Sequence, residues 1–280
     1  MTLGVSFGGF PEAPLERVAE LLGEVEVSKV EIAVGALTQQ GRAPEATVKW
    51  LRERGVEVVC LSTQFPLNQA DAPRSAVRRT QQQLADAIYL AGELGIGLVN
   101  SYSGASELAD SERAVERYIE RVRPCVRAAE KARVTLLIEN QIDVASGNAC
   151  RRVADVLRIL RQFDSPSLRH TYDPANYYGA GEDPLGAFGA LRPYIAHAHL
   201  KDVAVATAEM VAQRPNYKYW PFPERLMMAV PAGEGEAPVK QAYRLLAESG
   251  YKGYVCTEPF VEEEPLRRAL TYLRGLGVPG

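Results

Sequence analysis

Eight segments rich in apolar and β-branched residues alternate with longer amphipathic segments along the chain. The first strand candidate is LGVSFGGF at 3–10, and the last is GYVCTEPF at 253–260. Between them, segments such as LERVAELLGEV at 15–25 carry apolar residues at helical spacing. Eight strand–helix units in this order are typical of a closed parallel barrel. The pattern predicts a single (β/α)8 TIM barrel domain over 1–280.

Local signals place the predicted elements. Gly95 favours the end of a long helix over 74–94, and Asp183 followed by Pro184 is typical of a helix start. An open doubly wound sheet is the alternative, but no GxGxxG motif follows the first strand to support dinucleotide binding. The eight predicted strands lie at 3–10, 29–34, 56–65, 97–102, 134–140, 168–176, 194–203 and 253–260.

Composition narrows the class of protein. The 280 residues are 46% hydrophobic, which suits a large core, and the net charge of −3 argues against a general nucleic-acid binder. Four cysteines without a CxxC pair indicate reduced thiols. We expect a cytoplasmic protein without a membrane partner, because the chain shows neither a signal-peptide pattern nor a long apolar run.

Polar residues end four consecutive predicted strands. The fifth ends at Glu139 and Asn140, the sixth at Asp173, the seventh at His199 and the eighth at Glu258. Because active-site groups of such barrels come from the carboxyl ends of the strands, these side chains are expected to meet. Burying three carboxylates together is costly unless a cation balances them. The mixed oxygen and nitrogen donors favour a divalent metal such as Mn²⁺, with Mg²⁺, Co²⁺ and Zn²⁺ as alternatives.

Two of the three histidines lie in IAHAHLKD, at 195–202. Residues two apart in a strand point to the same side, so His197 and His199 share one face. His199 is nearer the strand end and is the predicted metal ligand, whereas His197 lies one layer deeper as a core or substrate-side group. Lys201 shares that side and is predicted to meet a substrate oxygen or phosphate. Taken alone, Lys201 and Asp202 would read as a surface ion pair.

Five segments in order resemble the xylose-isomerase-like barrel superfamily, and most closely its sugar (phosphate) isomerase/epimerase branch. They are LLIEN, TYDPANYYGAGEDP, YIAHAHLKD, VPAGEGE and YVCTEPF, all in the C-terminal half. The resemblance implies one divalent metal held by Glu139, Asp173, His199 and Glu258. It also implies that Glu139 and Glu258 are the catalytic acid and base on opposite faces of a small sugar, polyol or keto-acid.

In that chemistry, one glutamate removes a proton next to a carbonyl while the metal stabilises the enediolate, and the other glutamate returns the proton. Return to the opposite face gives an epimer, whereas return to the neighbouring carbon interconverts aldose and ketose. The resemblance leaves a homodimer open as the assembly.

The chain departs from relatives at several positions. Asn176 replaces the histidine that many relatives carry three residues after the aspartate, and KDVAVATA at 201–208 lacks the arginine of some epimerases. Asn140, Asn176, His197, Lys201 and Trp220 are therefore the predicted substrate-binding residues. Trp220 belongs to an aromatic stretch at 214–225 within a lid-like loop at about 204–232, for which a packing element is the alternative.

Other functions remain as alternatives. An inosose-type dehydratase would begin with the same proton abstraction and then expel a hydroxyl group. An abasic-site endonuclease-like phosphodiesterase is disfavoured, because its three-metal cluster needs more histidines than the three present; strands three and four end near Gln64, Asn100 and Ser101 instead. A sugar-binding protein without catalysis is disfavoured because binding alone does not require paired glutamates.

Overall fold

The computed structural model describes residues 1–10, 12–104, 111–142, 148–213, 219–221, 225–258 and 263–279. Eight parallel strands close into a barrel in the order β1-β11-β7-β6-β5-β4-β3-β2, which confirms the predicted (β/α)8 class. Three further strands form a small antiparallel sheet in the order β8-β10-β9. The strands are β1 (Thr2–Phe7), β2 (Lys29–Ala33), β3 (Glu57–Ser62), β4 (Leu98–Ser101), β5 (Thr135–Glu139), β6 (Leu168–Tyr172), β7 (Ile195–His199), β8 (Asp202–Val205), β9 (Tyr219–Pro221), β10 (Leu226–Val230) and β11 (Tyr254–Thr257).

Helices connect the barrel strands and pack their apolar faces against the barrel. In the first of them, Leu15, Val18 and Leu22 recur at helical spacing and are buried. None of the described helices has both the length and the apolar character that a membrane span needs. The α-helices of the described chain are α1 (Leu15–Glu24), α2 (Pro44–Arg52), α3 (Arg74–Leu94), α4 (Ser111–Ala132), α5 (Val153–Phe163), α6 (Pro174–Gly179), α7 (Pro184–Leu191), α8 (Ala208–Gln213), α9 (Val239–Glu248) and α10 (Glu263–Gly275).

The predicted helix boundaries agree where the sequence carries a specific signal. Helix α3 ends before Gly95, whose φ of +72° is the left-handed conformation that glycine adopts at low cost. Asp183 caps α7, because its carboxylate accepts hydrogen bonds from the backbone N–H groups of Leu185 and Gly186. All four cysteines are buried as free thiols.

The structure differs from the predicted boundaries after β6 and β7. Strand β6 ends at Tyr172, because Asp173 caps α6 through a 2.9 Å hydrogen bond from the backbone N–H of Asn176. The segment at 204–232, predicted as a loop, contributes β9 and β10 and continues β8, with β10 pairing antiparallel to both. Residues 214–218 and 222–224, most of the predicted aromatic lid, lie outside the described residues.

Candidate functional site

The four predicted metal ligands lie at one end of the barrel. Glu139 and His199 are the last residues of β5 and β7, Asp173 directly follows β6, and Glu258 directly follows β11. Because the barrel strands are parallel, their carboxyl ends face the same side, and the side chains of Glu139, Asp173 and His199 are buried there. Glu258 is partly exposed at 21%.

Three of these residues form a compact donor group. Nδ1 of His199 lies 3.2 Å from Oε1 of Glu139 and 3.9 Å from Oε1 of Glu258. One donor atom from each of the three lies within 4.8 Å of the other two, a spacing that a single metal ion can span. The structure therefore brings Glu139, His199 and Glu258 together directly.

Asp173 joins this group through Lys201. Nζ of Lys201 lies 3.0 Å from Oδ2 of Asp173 and also donates a short hydrogen bond to Oε2 of Glu258. Burial alone would lower the pKa of Lys201, but the carboxylates of Asp173 and Glu258 raise it above its usual value. Burial raises the pKa of Asp173 to about 6, and Lys201 offsets only part of that effect. The ammonium group thus stands between two predicted ligands.

The donor set fits a divalent cation. Four carboxylates meet here, those of Glu31, Glu139, Asp173 and Glu258, and His199 and Lys201 supply the neighbouring positive charge. Oδ2 of Asp173 is buried and lies 3.0 Å from Nζ of Lys201, but among the described residues no hydrogen bond of good geometry reaches it. The excess of negative charge, and an oxygen held by an ion pair without a well-formed hydrogen bond, are features that a bound cation would relieve.

Two asparagines frame the carboxylates. Asn140 exchanges hydrogen bonds with the backbone of Asp173, at 2.8 Å to its carbonyl oxygen and 3.0 Å from its N–H. Nδ2 of Asn176 donates to the carbonyl of Asn140 and, at 3.3 Å, to Oε1 of Glu139. Oδ1 of Asn176 is buried without a hydrogen-bond partner in the described structure. Asn140 therefore positions Asp173, whereas Asn176 keeps an acceptor for a ligand hydroxyl group.

Sequence reasoning missed Glu31, which lies in the middle of β2 and is fully buried. Its Oε2 atom lies 2.8 Å from Nε2 of His197 and 2.9 Å from Nε2 of His199. Burial raises the pKa of Glu31, but His199 and His197 outweigh it and hold that pKa well below its usual range. The signal was a charged residue inside KVEIAV, since parallel strands of a barrel are expected to be apolar throughout.

The two imidazoles differ in their electrostatic surroundings. Burial would lower the pKa of His199, but the carboxylates of Glu31 and Glu139 raise it well above its usual value. Burial lowers the pKa of His197, and its hydrogen bond to Glu31 only partly compensates. His197 is therefore a core histidine bonded to a carboxylate, one layer below the compact donor group.

Asn100 and Thr171 extend the network across the barrel interior. Nδ2 of Asn100 donates to Oε2 of Glu139 at 2.9 Å and to Oε1 of Glu31 at 3.3 Å. The hydroxyl of Thr171 donates to Oδ1 of Asn100 at 2.8 Å, and Thr171 pairs with His197 after a one-residue register shift between β6 and β7. Such shifts re-aim side chains, and this one sets His197 beside Thr171.

A cavity of about 270 Å³ opens above the carboxylates, close to the lower limit for small-molecule sites. Glu139, Glu258, Asn176, Lys201 and Trp220 line it, whereas His197 and Asn140 are not among its described lining residues. The arrangement thus gives a small ligand access to two carboxylates, an amide oxygen and an indole. The remaining lining residues are Gly8, Gly9, Ser62, Thr63, Gln64, Asn100, Ser101, Tyr102, Gln141 and Ile142.

The GEGE turn at 233–236 is held by Asp202. The backbone N–H groups of Gly233 and Gly235 donate to Oδ2 of Asp202 at 3.1 Å each, and that of Ala237 donates to Oδ1 at 2.9 Å. These donors are therefore occupied rather than available for a phosphate group. Lys201 and Asp202 are both buried and engage different partners, so they do not form a surface ion pair.

Comparison with known families assigns the fold. A family model described as a xylose isomerase-like TIM barrel matches residues 17–276. Among solved structures, the chain resembles a D-psicose 3-epimerase from Clostridium cellulolyticum H10 with a TM-score of 0.75 and 16% identity, covering 100% of both chains. At that identity the likeness shows the fold alone.

The curated relatives include dehydratases. A 3-dehydroshikimate dehydratase of Bacillus anthracis is 23% identical over 198 residues, which span 70% of this chain and 67% of that protein. An inosose dehydratase of Lacticaseibacillus casei is 26% identical over 121 residues, which span 43% of this chain and only 39% of that protein.

Proposed function

The chain belongs to the xylose isomerase-like TIM barrel family, and on that premise we propose that it is a divalent-metal-dependent isomerase or epimerase of a small hydroxylated ketone. The observation that carries this proposal is the placement of Glu139 and Glu258 around His199 at the carboxyl end of the barrel. Both glutamates also line the cavity, so both can reach a bound ligand. Two carboxylates in one small site can divide acid and base roles between them.

The proposed ligands of the metal are Glu139, Asp173, His199 and Glu258, with Mn²⁺ as the first choice for this mixed donor set. When bound, the ion would supply positive charge to the oxygen of a carbonyl group whose neighbouring carbon loses a proton.

The proposed reaction needs no oxidant or reductant. One of the two glutamates takes the proton from the carbon next to the carbonyl, and the electron pair of that C–H bond moves towards the carbonyl oxygen. The other glutamate donates a proton to the opposite face of the same carbon, which gives an epimer. In the isomerase variant that carbon carries a hydroxyl group, whose proton passes to the former carbonyl oxygen while a proton is added to the former carbonyl carbon, which gives an isomer. Asn176 would hold a substrate hydroxyl group through Oδ1, and Trp220 would cover the sugar ring.

A dehydratase is the second candidate, and the likeness to a 3-dehydroshikimate dehydratase and to an inosose dehydratase favours it. The first step is the same proton abstraction by a glutamate. The C–O bond on the next carbon then breaks, a carbon–carbon double bond forms, and the leaving hydroxide takes up the proton that the glutamate had acquired. The ammonium of Lys201, which lies beside Glu258 at the cavity, would stabilise the departing oxygen.

Product analysis tests the proposal and separates the two candidates. Metal-loaded protein would be incubated with D-psicose, D-tagatose, an inosose and 3-dehydroshikimate, and products would be separated by chromatography and mass spectrometry. A new sugar of unchanged mass supports the isomerase or epimerase, whereas loss of one water supports the dehydratase. Turnover that persists unchanged after chelation of the metal would contradict both.

A further inference from the structure

Glu31 lies beneath the cavity and makes no direct approach to it. The residue is fully buried in β2 and is not among the described residues that line the cavity. Its carboxylate instead faces the rings of His197 and His199 on the other side of the barrel interior. Whatever Glu31 does for a ligand must therefore be done through another side chain.

Hydrogen-bond chemistry fixes the protons on both imidazoles. Oε2 of Glu31 lies 2.8 Å from Nε2 of His197 and 2.9 Å from Nε2 of His199. An ionised carboxylate only accepts hydrogen bonds, so both Nε2 atoms must carry the hydrogen. Oε1 of Glu31 accepts in turn from Nδ2 of Asn100 at 3.3 Å, which holds the carboxylate in this orientation.

The hydrogen on Nε2 of His199 determines the state of Nδ1, the other nitrogen of the ring. A cation that displaces the Nδ1 proton leaves a neutral ring with its hydrogen on Nε2 and a lone pair at Nδ1. That Nδ1 atom lies 3.2 Å from Oε1 of Glu139 and 3.9 Å from Oε1 of Glu258. A carboxylate bonded to the far nitrogen of a histidine is a common way to orient a metal ligand and to strengthen its electron donation.

We propose that Glu31 is a positioning residue, which holds His199 as the Nε2–H tautomer and turns its Nδ1 atom towards the cation site formed with Glu139 and Glu258. This inference rests on the metal dependence of the proposed function. His197 donates to the same oxygen but presents its own Nδ1 to no hydrogen-bond partner in the described structure. His197 therefore helps to hold the Glu31 carboxylate in place through its hydrogen bond, and it adds no donor atom to the cation site.

A separate cation site formed by Glu31, His197 and His199 is the alternative arrangement, since these donors also lie within 4.8 Å of one another. The short distances from Oε2 to both Nε2 atoms are those of hydrogen bonds already made. The two arrangements predict different stoichiometries. A positioning role for Glu31 gives one ion per chain, whereas a second site gives two.

The test measures cation binding by isothermal titration calorimetry with Mn²⁺ for the wild type, Glu31→Gln and His197→Gln. Glu31→Gln keeps the length of the side chain but removes its charge and one acceptor, so we expect about 10- to 100-fold weaker binding. His197→Gln is the matched control, because it removes a partner of Glu31 and no donor to the cation. We expect its Mn²⁺ affinity to lie within about threefold of the wild type, which is much less than the loss expected for Glu31→Gln. The expected stoichiometry of the wild type is one ion per chain.

The outcomes separate the inference from the proposed function. A wild type that binds no divalent cation contradicts both. If the wild type binds tightly and Glu31→Gln binds equally well, the positioning role alone is contradicted. The positioning role is also contradicted if the wild type binds two ions per chain and Glu31→Gln no longer does.

Nitrogen NMR of the wild type tests the same point without a variant. The chain has only three histidines, so ¹⁵N-histidine labelling gives few signals to assign. With diamagnetic Mg²⁺ or Zn²⁺ bound, we expect His199 to show a protonated Nε2 and a metal-shifted Nδ1. A protonated Nδ1 with a bare Nε2 would overturn the inference.

Discussion

The ammonium nitrogen of Lys201 lies 3.0 Å from Oδ2 of Asp173 in the buried end of the barrel. The same nitrogen is bonded to Glu258, so one protein cation serves two carboxylates that are also proposed to hold a metal. Lys201 and the metal are therefore expected to share these oxygens, and the strength of metal binding should depend on that competition.

Replacing Lys201 by methionine should reveal the competition. Without metal, Asp173 and Glu258 lose their buried counter-charge, and we expect a loss of roughly 3–5 kcal/mol in the free energy of unfolding. Added Mn²⁺ should restore more stability to this variant than to the wild type. Urea denaturation with chelator and with Mn²⁺ measures both quantities.

Lys29→Met is the matched control, because Lys29 pairs with Glu57 at 2.5 Å on the barrel surface, where Glu57 is 53% exposed. An exposed pair contributes about 0–1 kcal/mol. If Lys201→Met lost no more stability than this control, or gained nothing extra from metal, the shared-oxygen account would be wrong.

Glu258→Gln should remove an acid or base while keeping the shape of the side chain. At saturating metal we expect turnover to fall about 10²- to 10⁴-fold, because general acid–base catalysis contributes that range. Thermal melting, measured in parallel, separates this effect from any loss of stability, because Glu258 also accepts a hydrogen bond from the buried Lys201. Glu57→Gln on the surface should keep full activity; full activity of Glu258→Gln would remove Glu258 from the mechanism.

Because His170 is buried, we expect the free energy of unfolding to fall in mild acid. Burial lowers its pKa to about 4, whereas an unfolded histidine titrates near its ordinary value of 6.5. Below pH 6.5 the unfolded chain therefore binds a proton that the folded chain resists, so stability is lost as the pH falls towards 4. We expect this residue alone to lower the free energy of unfolding by about 2 kcal/mol between pH 7 and pH 5.

Urea denaturation of the wild type and of His170→Gln at pH 7 and pH 5 measures that contribution. The variant should lose the part of the pH dependence that belongs to His170, although its stability at pH 7 will also fall because His170 bonds the carbonyl of Ile138 at 2.8 Å. An identical pH dependence for both proteins would show that His170 is protonated in the folded state.

Gly235→Ala should disrupt the turn that Asp202 holds. A Cβ atom at Gly235 would lie 2.3 Å from Oδ1 of Asp202 and 2.4 Å from the carbonyl oxygen of Val203, which forces the turn to move. We expect a loss of at least about 1–3 kcal/mol in the free energy of unfolding. Gly189→Ala is the control, because it meets nothing within 4 Å in helix α7 and should gain about 0.5–1 kcal/mol. Equal stabilities of the two variants would contradict this account.

The sequence predicted the barrel because each strand–helix unit repeats the same physical pattern. The common location of Glu139, Asp173, His199 and Glu258 was also predictable, since the carboxyl ends of parallel strands lie on one side of the barrel. The pairing of Lys201 with Asp173 was not predictable, because the two residues follow different strands, β7 and β6, and no local pattern specifies a contact between them. The small sheet of β8, β9 and β10 was missed because its strands are separated in sequence, and no local signal shows where the chain turns back to pair with β8.

Glu31 was missed for a different reason. Its position in the middle of β2 gives no strand-end signal, and its side chain meets His197 and His199 from the far side of the barrel interior. The pairing of β2 with β3 shifts by one residue between Val30 and Glu31, and such irregularities decide which side chains share a layer. A local sequence pattern does not specify that shift.

Glu139 and Glu258 are proposed to move protons at a carbon beside a carbonyl group. Solvent exchange tests it most directly: metal-loaded protein is incubated in D₂O with ketoses, inososes and 3-dehydroshikimate, and NMR follows the C–H signals. We expect deuterium at the carbon next to the carbonyl of at least one substrate, with loss of that exchange in Glu139→Gln. Conversion of a substrate without any such exchange, or exchange that persists undiminished in Glu139→Gln, would contradict it.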